Sequence, residues 1–336
     1  MTGRAQAMQA FVDGAGWGAA RRVHLAGDAS DRRYERLYLP QGTAVLMDNP
    51  PGGADDPVAF ERMAIHLTSL GLSAPRVLAS DTGAGFLLLE DLGDDLFAGL
   101  VSRTPECETA LYAVATDALI HLQRHPAPAG LPDLSAHDWA CAAAFALDWY
   151  AFAATGTRPD PATFTDVLAQ VLTVHADGAR VLILRDYHAE NLLWLPQRTG
   201  VARAGLLDFQ LGQMGQPGYD LVSLLQDARR DVAPGTVAVM TAHFAAVTGA
   251  VGFDAAFAAL GAQRALRILG VFARLALVAG KPGYLPLLPR VWAQLQANLA
   301  HPALHPLASI CARLLPPPTA AVLERIARQC GSHRKP

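Results

Sequence analysis

The sequence predicts an α+β fold of two lobes, with a β-rich N-lobe over residues 1–92 and a mainly helical C-lobe over residues 93–336. Three observations support this bilobal arrangement. Up to about residue 90, short apolar runs are bounded by Gly, Pro and Asp, which is typical of strands. After Gly93, alanine and leucine dominate at helical spacing. A length of 336 residues suits one large domain or two packed lobes.

The predicted N-lobe is a small sheet with one inserted helix. Residues 1–20 indicate a short helix, and the strand-like runs RRVHLAG, RRYERLYL and TAVLMD follow within residues 21–48. After a loop rich in Pro and Gly, apolar residues at helical spacing predict a helix over residues 58–71. Two strands joined by a Gly-containing turn are predicted within residues 75–93.

The predicted C-lobe is helical except near its middle. Helical patterns cover residues 106–123, 139–154 and 161–176. The segments RVLILRDYHAENLLWL (180–195) and RAGLLDFQ (203–210) interrupt them as short β segments with polar residues between. Helices then resume to the end of the chain.

The composition excludes several classes of protein. Hydrophobic residues make up 51% and charged residues 17% of the chain, which is enough apolar surface for a large core. A net charge of −3 argues against nucleic acid and anionic membranes as partners. The four cysteines form no CxxC pair and lie near no histidine at zinc-finger spacing, so neither zinc nor disulfides are expected.

Neither a leader sequence nor a membrane span is predicted. Residues 1–20 include charged residues and several glycines and lack a continuous apolar segment, which favours a cytoplasmic protein. Residues 232–253 lack charged side chains, but their proline, glycines and threonines favour a turn and a buried, Ala-rich helix over a membrane span.

Three polar residues lie at or just beyond the points where two apolar strands end. One aliphatic run stops at Asp186, with Asn191 five residues later, and another stops at Asp208. Because the first two share one tight loop and the third follows a neighbouring strand, their side chains are expected to converge. Two carboxylates and an amide oxygen suit Mg²⁺. Phosphoryl transfer uses such a set, with one Asp orienting the attacking hydroxyl and accepting its proton while the Asn and second Asp hold the metal.

The same residues match two kinase patterns. Asp186 and Asn191 fit D-x-x-x-x-N, and Asp208-Phe209-Gln210 fits D-F-G apart from its glycine. The first pattern is common by chance, and two loop acids that cap turns are the alternative. A strand ahead of each Asp, a histidine two residues after the first, and a β-rich region upstream favour the kinase-like site.

The run DYHAEN, residues 186–191, resembles the D-x-H-x-x-N signature of the aminoglycoside/choline phosphotransferase superfamily, which has a protein-kinase-like fold. More narrowly, the segments GDASDRRYERL, LLLEDLGDDLF, LRDYHAEN and YDLVSLLQDARRDV resemble bacterial anomeric kinases of N-acetylmuramate and N-acetylglucosamine. The resemblance spans roughly residues 20–300. It implies ATP and Mg²⁺ as cofactors and a small-molecule sugar as substrate.

The resemblance also implies a role for each matching residue. Asp186 is the expected catalytic base or orienter of the sugar hydroxyl, and Asn191 and Asp208 are the expected Mg²⁺ ligands. Ser30 lies in the loop that is expected over the ATP phosphates. Glu90 to Leu92 is the expected hinge, whose backbone reads the adenine.

The cation that should meet the phosphates is missing from its usual place. The family pattern has a lysine on the third strand, where this chain has Met47 and Asp48. Arg32 or Arg33 is expected to replace it, since an arginine fork suits phosphate oxygens, and both as solvated strand residues is the alternative. Glu61 on the first N-lobe helix is expected to pair with one of them.

The resulting hypothesis is an ATP-dependent kinase that phosphorylates the C1 hydroxyl of N-acetylmuramate, N-acetylglucosamine or both, in cell-wall recycling. Two alternatives stay open. One is a kinase for a cationic acceptor such as an aminoglycoside or choline, and the other is a catalytically weak, nucleotide-binding pseudokinase. The charged run at residues 227–231 fits either the sugar pocket or a solvated helix end. The sequence does not identify whether the protein has a protein partner.

Overall fold

The computed structural model describes residues 3–25, 32–52 and 56–333. The chain divides into two compact units, the first of residues 1–130 with 184–212 and the second of residues 131–183 with 213–336. The predicted α+β class is confirmed, because strands predominate up to Glu90 and helices after it. The lobe boundary at residues 92–93 stays a prediction, since these units group the chain differently.

The strands and helices are numbered in chain order. The strands are β1 (Arg21–Leu25), β2 (Arg33–Leu39), β3 (Gly42–Asp48), β4 (Val77–Asp81), β5 (Phe86–Glu90), β6 (Val181–Ile183), β7 (Leu192–Trp194), β8 (Ala204–Leu206) and β9 (Gln213–Gly215). The α-helices are α1 (Gly3–Gly14), α2 (Pro57–Ser69), α3 (Phe97–Arg103), α4 (Glu108–Gln123), α5 (Ala136–Ala143), α6 (Phe152–Thr155), α7 (Ala162–His175), α8 (Tyr219–Leu225), α9 (Pro234–Thr248), α10 (Phe253–Ala279), α11 (Leu288–Leu299), α12 (His305–Leu314) and α13 (Ala320–Arg328). A π-helical turn covers Ala146–Ala151.

The first unit contains a five-stranded antiparallel sheet with the order β1-β2-β3-β5-β4. Alternation sends Leu37, Ala44, Leu46 and Leu88 to one face, where they are buried together with Val12 of α1. The hairpin of β7 and β8 and the helices α2, α3 and α4 belong to the same unit. This unit therefore holds every predicted site residue that the structure describes.

Helix α2 starts and stops at sequence signals. The carboxylate of Asp56 accepts a hydrogen bond from the backbone nitrogen of Val58 at 2.9 Å, and Pro57 occupies the first helical turn. Gly71, with φ of +77°, ends the segment in the left-handed conformation that glycine adopts easily. The helix predicted over residues 58–71 is confirmed.

The second unit is a helical bundle around α10, with the small ladder of β6 and β9 at residues 181–183 and 213–215. Gly270 of α10 lies so close to the turn after α5 that a Cβ there would stand 2.3 Å from the carbonyl carbon of Phe145. The predicted single helix over residues 139–154 is instead broken into α5, the π-helical turn and α6. A contact distant in sequence coincides with the break, and local periodicity carries no sign of it.

Helix α10 is the one described helix long and apolar enough to cross a membrane, and 67% of its most apolar window is buried inside the protein. The charge-free stretch of residues 232–253 forms a turn and helix α9, as predicted, but α9 buries only Thr236, Met240 and Phe244. The expected burial of that helix is therefore wrong for most of its surface.

Candidate active site

The hairpin of β7 and β8 brings Asn191 and Asp208 to the same end of one ladder. Leu192 pairs with Leu206, and the backbone nitrogen of Leu207 donates to the carbonyl of Asn191 at 2.9 Å, which extends the ladder by one step. Asp208 follows directly. Since facing residues in antiparallel pairs lie about 5 Å apart, the two positions are neighbours, as the strand pattern predicts.

The loop from Leu184 to Asn191 is closed by its own hydrogen bonds. Nδ2 of Asn191 donates to the backbone carbonyl of Asp186 at 2.8 Å, and the backbone nitrogen of Asp186 donates to the carbonyl of Leu184 at 2.9 Å. Arg185, between them, has a φ of +72°, which a non-glycine residue rarely adopts. The sharp turn brings Asp186 and Asn191 to one place despite the four residues between them.

A buried side chain fixes this loop to helix α4. The hydroxyl of Tyr187 donates to the carbonyl of Ala115 at 2.9 Å, and the tyrosine is 3% exposed. The turn at residues 189–191 also lies against α3. The loop is therefore held from two sides, which is what a residue needs if it is to orient a reacting hydroxyl.

One carboxylate oxygen of Asp208 accepts two hydrogen bonds, one from a guanidinium and one from a side-chain amide. Nη2 of Arg32 and Nε2 of Gln210 both donate to Oδ1 of Asp208 at 2.8 Å. Asp208 has a φ of +56°, and the Phe209 ring after it packs 4.9 Å from the ring of Phe60 on α2. Strained backbone at this point fits a functional position.

The donor atoms that remain suit a hard divalent cation. In the described part of the chain, no hydrogen bond engages Oδ2 of Asp208 or Oδ1 of Asn191. The described residues include no group of three His, Cys, Asp or Glu side chains arranged to hold a metal ion. A carboxylate and an amide oxygen fit Mg²⁺, which usually takes one or two protein ligands and completes its shell with phosphate oxygens and water.

The structure distinguishes the two arginines proposed to replace the lysine. Arg32 is 6% exposed and reaches Asp208, whereas Arg33 is exposed and lines a cavity of about 320 Å³ with Glu35 and Asp48. The geometry favours Arg32. Glu61 forms no ion pair with either arginine among the described residues, so the expected pairing is wrong.

The predicted hinge lies at the end of β5. The carboxylate of Glu90 accepts from Nη2 of Arg198 at 2.8 Å and from Nε of Arg76 at 3.2 Å, so its side chain is fixed by ion pairs. Leu92 is half-buried, and its backbone nitrogen and carbonyl form no hydrogen bond with any described residue. Ser30 and its loop lie outside the described residues.

Two contributions to the site were not anticipated from the sequence. Gln210 stands where the kinase pattern has glycine, and that pattern assigns it no role, yet its amide donates to Asp208. Its position two residues after an aspartate is a signal that could have indicated this contact. The hydrogen bond from Tyr187 to Ala115 joins residues 72 positions apart, and no local pattern announces it.

A mixed sheet-and-helix fold with an Asp–Asn–Asp set on a loop and a neighbouring hairpin defines a kinase-like phosphotransferase. The chain belongs to the phosphotransferase enzyme family, whose model matches residues 22–255. It is similar to an N-acetylmuramate/N-acetylglucosamine kinase of Caulobacter vibrioides, at 37% identity over 93% of this chain and 97% of the relative. A kinase of the same name from Pseudomonas aeruginosa is 31% identical over 89% of this chain and 91% of the relative.

A solved structure shares the fold. A thermostable mutant of aminoglycoside phosphotransferase APH(4)-Ia, in ternary complex with AMP-PNP and hygromycin B, superposes with a TM-score of 0.58. The match covers 88% of this chain and 99% of that chain at 15% sequence identity, so it speaks to the fold alone. The predicted protein-kinase-like architecture is confirmed.

Proposed function

We propose that this phosphotransferase moves the γ-phosphoryl group of ATP to the C1 hydroxyl of N-acetylmuramate, N-acetylglucosamine or both, in the cytoplasm, as a step of cell-wall sugar recycling. The observation that carries the proposal is the Asp186–Asn191–Asp208 set, in which Asn191 is hydrogen-bonded to the backbone of Asp186 and of Leu207, the residue before Asp208. The names of the two relatives described above support the choice of sugar.

Each residue of the set has a separate task. The carboxylate of Asp186 orients the sugar hydroxyl and accepts its proton as the oxygen attacks the γ-phosphorus, while the bond from that phosphorus to the bridging oxygen of ADP breaks. Oδ1 of Asn191 and the carboxylate of Asp208 would hold Mg²⁺, which would supply neutralisation of the phosphate charge.

Arg32 supplies the cation that the missing lysine would provide. Its guanidinium already lies against a carboxylate that would share the metal with the phosphates, and it is planar, permanently charged and able to contact two oxygens at once. Arg33 is assigned no such role. At the hinge, the unengaged backbone groups of Leu92 are available to bind the edge of the adenine, as Glu90 is fixed by its two arginines.

The anomeric hydroxyl suits this site chemically. A hemiacetal hydroxyl is more acidic than an ordinary alcohol, so less proton-transfer assistance is required of Asp186. The kinase for an aminoglycoside or choline-like acceptor stays as the second candidate, and the solved aminoglycoside phosphotransferase that shares the fold holds AMP-PNP and hygromycin B. A pseudokinase is disfavoured because the complete acidic and amide set is present in one place.

The test is ATP turnover with Mg²⁺ across free N-acetyl sugars, amino sugars and choline, with the phosphorylated position read by ³¹P NMR. We expect a C1 phosphate from one or both N-acetyl sugars. Asp186→Asn should lose about 10²–10⁴-fold in kcat with little change in nucleotide binding. The matched control is Glu190→Gln, an exposed carboxylate in the same loop that should retain activity. Equal background turnover by wild type and Asp186→Asn with every acceptor would refute catalysis.

A further inference from the structure

Arg36 of β2 brings together two carboxylates from the segment that follows β5. Its Nη1 and Nη2 donate to the two oxygens of Asp94 at 2.7 and 2.8 Å, and Nη2 also donates to Oδ1 of Asp91 at 3.0 Å. Nε of Arg36 lies 2.8 Å from the other carboxylate oxygen of Asp91, and these two side chains are 12% and 7% exposed. We call the three residues the Arg36 cluster, and all of them belong to the first unit.

The Arg36 cluster determines the turn over residues 91–94. Oδ1 of Asp91 also accepts from the backbone nitrogen of Gly93 at 3.0 Å, and Nη2 of Arg36 donates to the Gly93 carbonyl at 3.4 Å. Gly93 has a φ of +85°, a conformation that glycine adopts at little cost. Because one guanidinium contacts both aspartates and this glycine, its removal should allow the turn to change shape.

The chain on either side of this turn is held without Arg36. Before the turn, Glu90 is fixed by the two arginines described above. After it, the carbonyl of Asp95 accepts from the backbone nitrogen of Trp194 at 2.8 Å. Loss of Arg36 is therefore expected to loosen the turn over residues 91–94 while its two ends stay in place.

Arg36 lies on the same face of the sheet as Arg32. It pairs with Val45 of β3, which pairs with Leu89 of β5, and residues directly opposite each other in a sheet share a face. In an extended chain, residues four apart also share a face and lie about 13 Å apart. This face therefore carries a guanidinium beside Asp208 at one end and the Arg36 cluster at the other, with apolar side chains next to the cluster. Phosphates at the first end and a base at the second follow the order of the parts of ATP.

The turn also offers a donor and an acceptor of the kind that the edge of a purine base requires. Leu92, between the two aspartates, has a backbone nitrogen and a carbonyl that form no hydrogen bond with any described residue. Adenine presents an amino donor next to a ring-nitrogen acceptor, whereas guanine presents a carbonyl acceptor next to a ring N–H donor. A backbone that is held in one orientation matches only one of these two patterns.

We infer that Arg36 is a positioning residue that holds the Leu92 backbone in the orientation that accepts adenine and rejects guanine. The inference rests on the ATP-dependent function proposed above and deepens it, since it concerns the choice of nucleotide at that same site. Arg36 acts through the turn and does not itself contact the base. Rotation of a peptide plane exchanges the directions of its N–H and C=O, so a turn that has lost the Arg36 cluster would accommodate either base.

The test measures nucleotide binding in the absence of any acceptor, by calorimetry with Mg²⁺ and the non-hydrolysable analogues AMP-PNP and GMP-PNP. Wild type should bind AMP-PNP at least about tenfold more tightly, because guanine would leave polar groups of the turn unpaired. Arg36→Gln should reduce this ratio to about threefold or less, mainly through weaker binding of AMP-PNP. In turnover assays its KM for ATP should rise about tenfold, with kcat at saturating ATP within about threefold of wild type.

Two further variants separate this role from a loss of folding. Arg36→Lys keeps the charge but not the fork that contacts both aspartates, and it should restore part of the ratio. Arg22→Gln is the matched control, because it breaks another arginine–carboxylate pair of the same sheet, with Glu35, on the face that packs against α1. Its ratio should equal that of wild type. Thermal unfolding shows whether each variant folds, and Asp94→Asn, which changes an exposed carboxylate of the cluster, replaces Arg36→Gln if that variant does not.

The outcomes separate the inference from the proposed function. Equal ratios in wild type and Arg36→Gln would overturn the inference, as would an equal fall in Arg22→Gln or a wild type that does not prefer AMP-PNP. A wild type that binds neither analogue refutes the inference together with ATP as the phosphoryl donor. If wild type prefers AMP-PNP and Arg36→Gln does not, the inference stands even where no sugar is phosphorylated, and only the proposed acceptor fails. If Arg36→Gln keeps the ratio while a sugar is phosphorylated, the inference alone fails.

Discussion

The ion pair between Arg32 and Asp208 gives the sharpest test of how this site handles phosphate charge. The two side chains meet at 2.8 Å, with 6% and 25% of their side-chain surface exposed. Charges about 4 Å apart at an effective dielectric constant of about 20 interact by about 4 kcal/mol. Because Asp208 is partly solvated, we halve this to about 2 kcal/mol, which corresponds to about 30-fold in a rate or binding constant.

We therefore expect Arg32→Gln to lower kcat/KM for ATP by about 30-fold, because the phosphates lose a cation of that strength in the transition state. Arg32→Lys should recover part of the loss, since lysine keeps the charge but not the planar fork. The control is Arg33→Gln, the neighbouring exposed arginine, which should stay within about threefold of wild type. Steady-state ADP release at saturating sugar measures all three, after thermal unfolding has shown that each variant folds.

The reasoning fails if Arg32→Gln and Arg33→Gln have the same kcat/KM for ATP, or if Arg33→Gln is the more damaging. A loss confined to thermal stability, with unchanged kinetics of the folded fraction, would also refute it. In that case the contact between Arg32 and Asp208 would only hold the sheet to the hairpin.

Four further perturbations follow from single contacts. Asn191→Ala should raise the Mg²⁺ concentration for half-maximal activity at least about tenfold, since an amide ligand is lost. Tyr187→Phe should cost about 1 kcal/mol of unfolding free energy, one buried hydrogen bond. Gly270→Ala should cost about 1–3 kcal/mol or more, because its Cβ would meet the Phe145 carbonyl. Burial raises the pKa of Asp227 above its value of about 4 in the unfolded chain. The protonated carboxyl therefore contributes stability that is complete below the unfolded pKa and is lost as pH rises through the folded pKa. Asp227→Asn should remove this pH dependence.

Each of these has a direct control or contrary result. Gly235→Ala introduces the same methyl where nothing lies within 4 Å, and its Tm should hold while that of Gly270→Ala falls. A Mg²⁺ titration of Asn191→Ala that overlays wild type removes Asn191 from the metal site. Urea unfolding is the measurement for Tyr187→Phe, and no change in midpoint contradicts the hydrogen bond. For Asp227→Asn, unfolding from pH 4 to 8 should diverge from wild type as pH rises, and parallel curves contradict the buried carboxylate.

The sequence was sufficient for those parts of the site that depend on strand ends. Asp186 and Asp208 each follow an aliphatic run, Asn191 directly precedes the next one, and the register of β7 with β8 places Asn191 and Asp208 close together. This works because a buried strand must stop where a polar residue begins, and two short strands joined by a hairpin have few ways to pair.

The choice between the arginines could not be made the same way. Arg32 and Arg33 are chemically identical neighbours, and in an extended chain successive side chains point to opposite faces. Which one faces the site is set by the pairing of Arg33 with Asp48 across β2 and β3. That register is a property of the folded sheet, so it cannot be inferred from the local sequence. The π-helical turn at residues 146–151 is similar, because it accompanies the close approach of Gly270 from another helix.

The same register explains how an arginine just before β2 can place its charge near the position that a lysine on the third strand would occupy. Met47, one of the two residues that stand where the family pattern has lysine, pairs with Tyr34, and Arg32 lies two residues before that tyrosine. Residues two apart in an extended chain share a face, so Arg32 presents its charge on the face that a residue at position 47 would use. A guanidinium reaches farther than an ammonium and can span the diagonal to Asp208. Under the role proposed for Arg32, the site depends on where positive charge is held relative to Asp208, and the buried methionine at position 47 is then compatible with phosphoryl transfer.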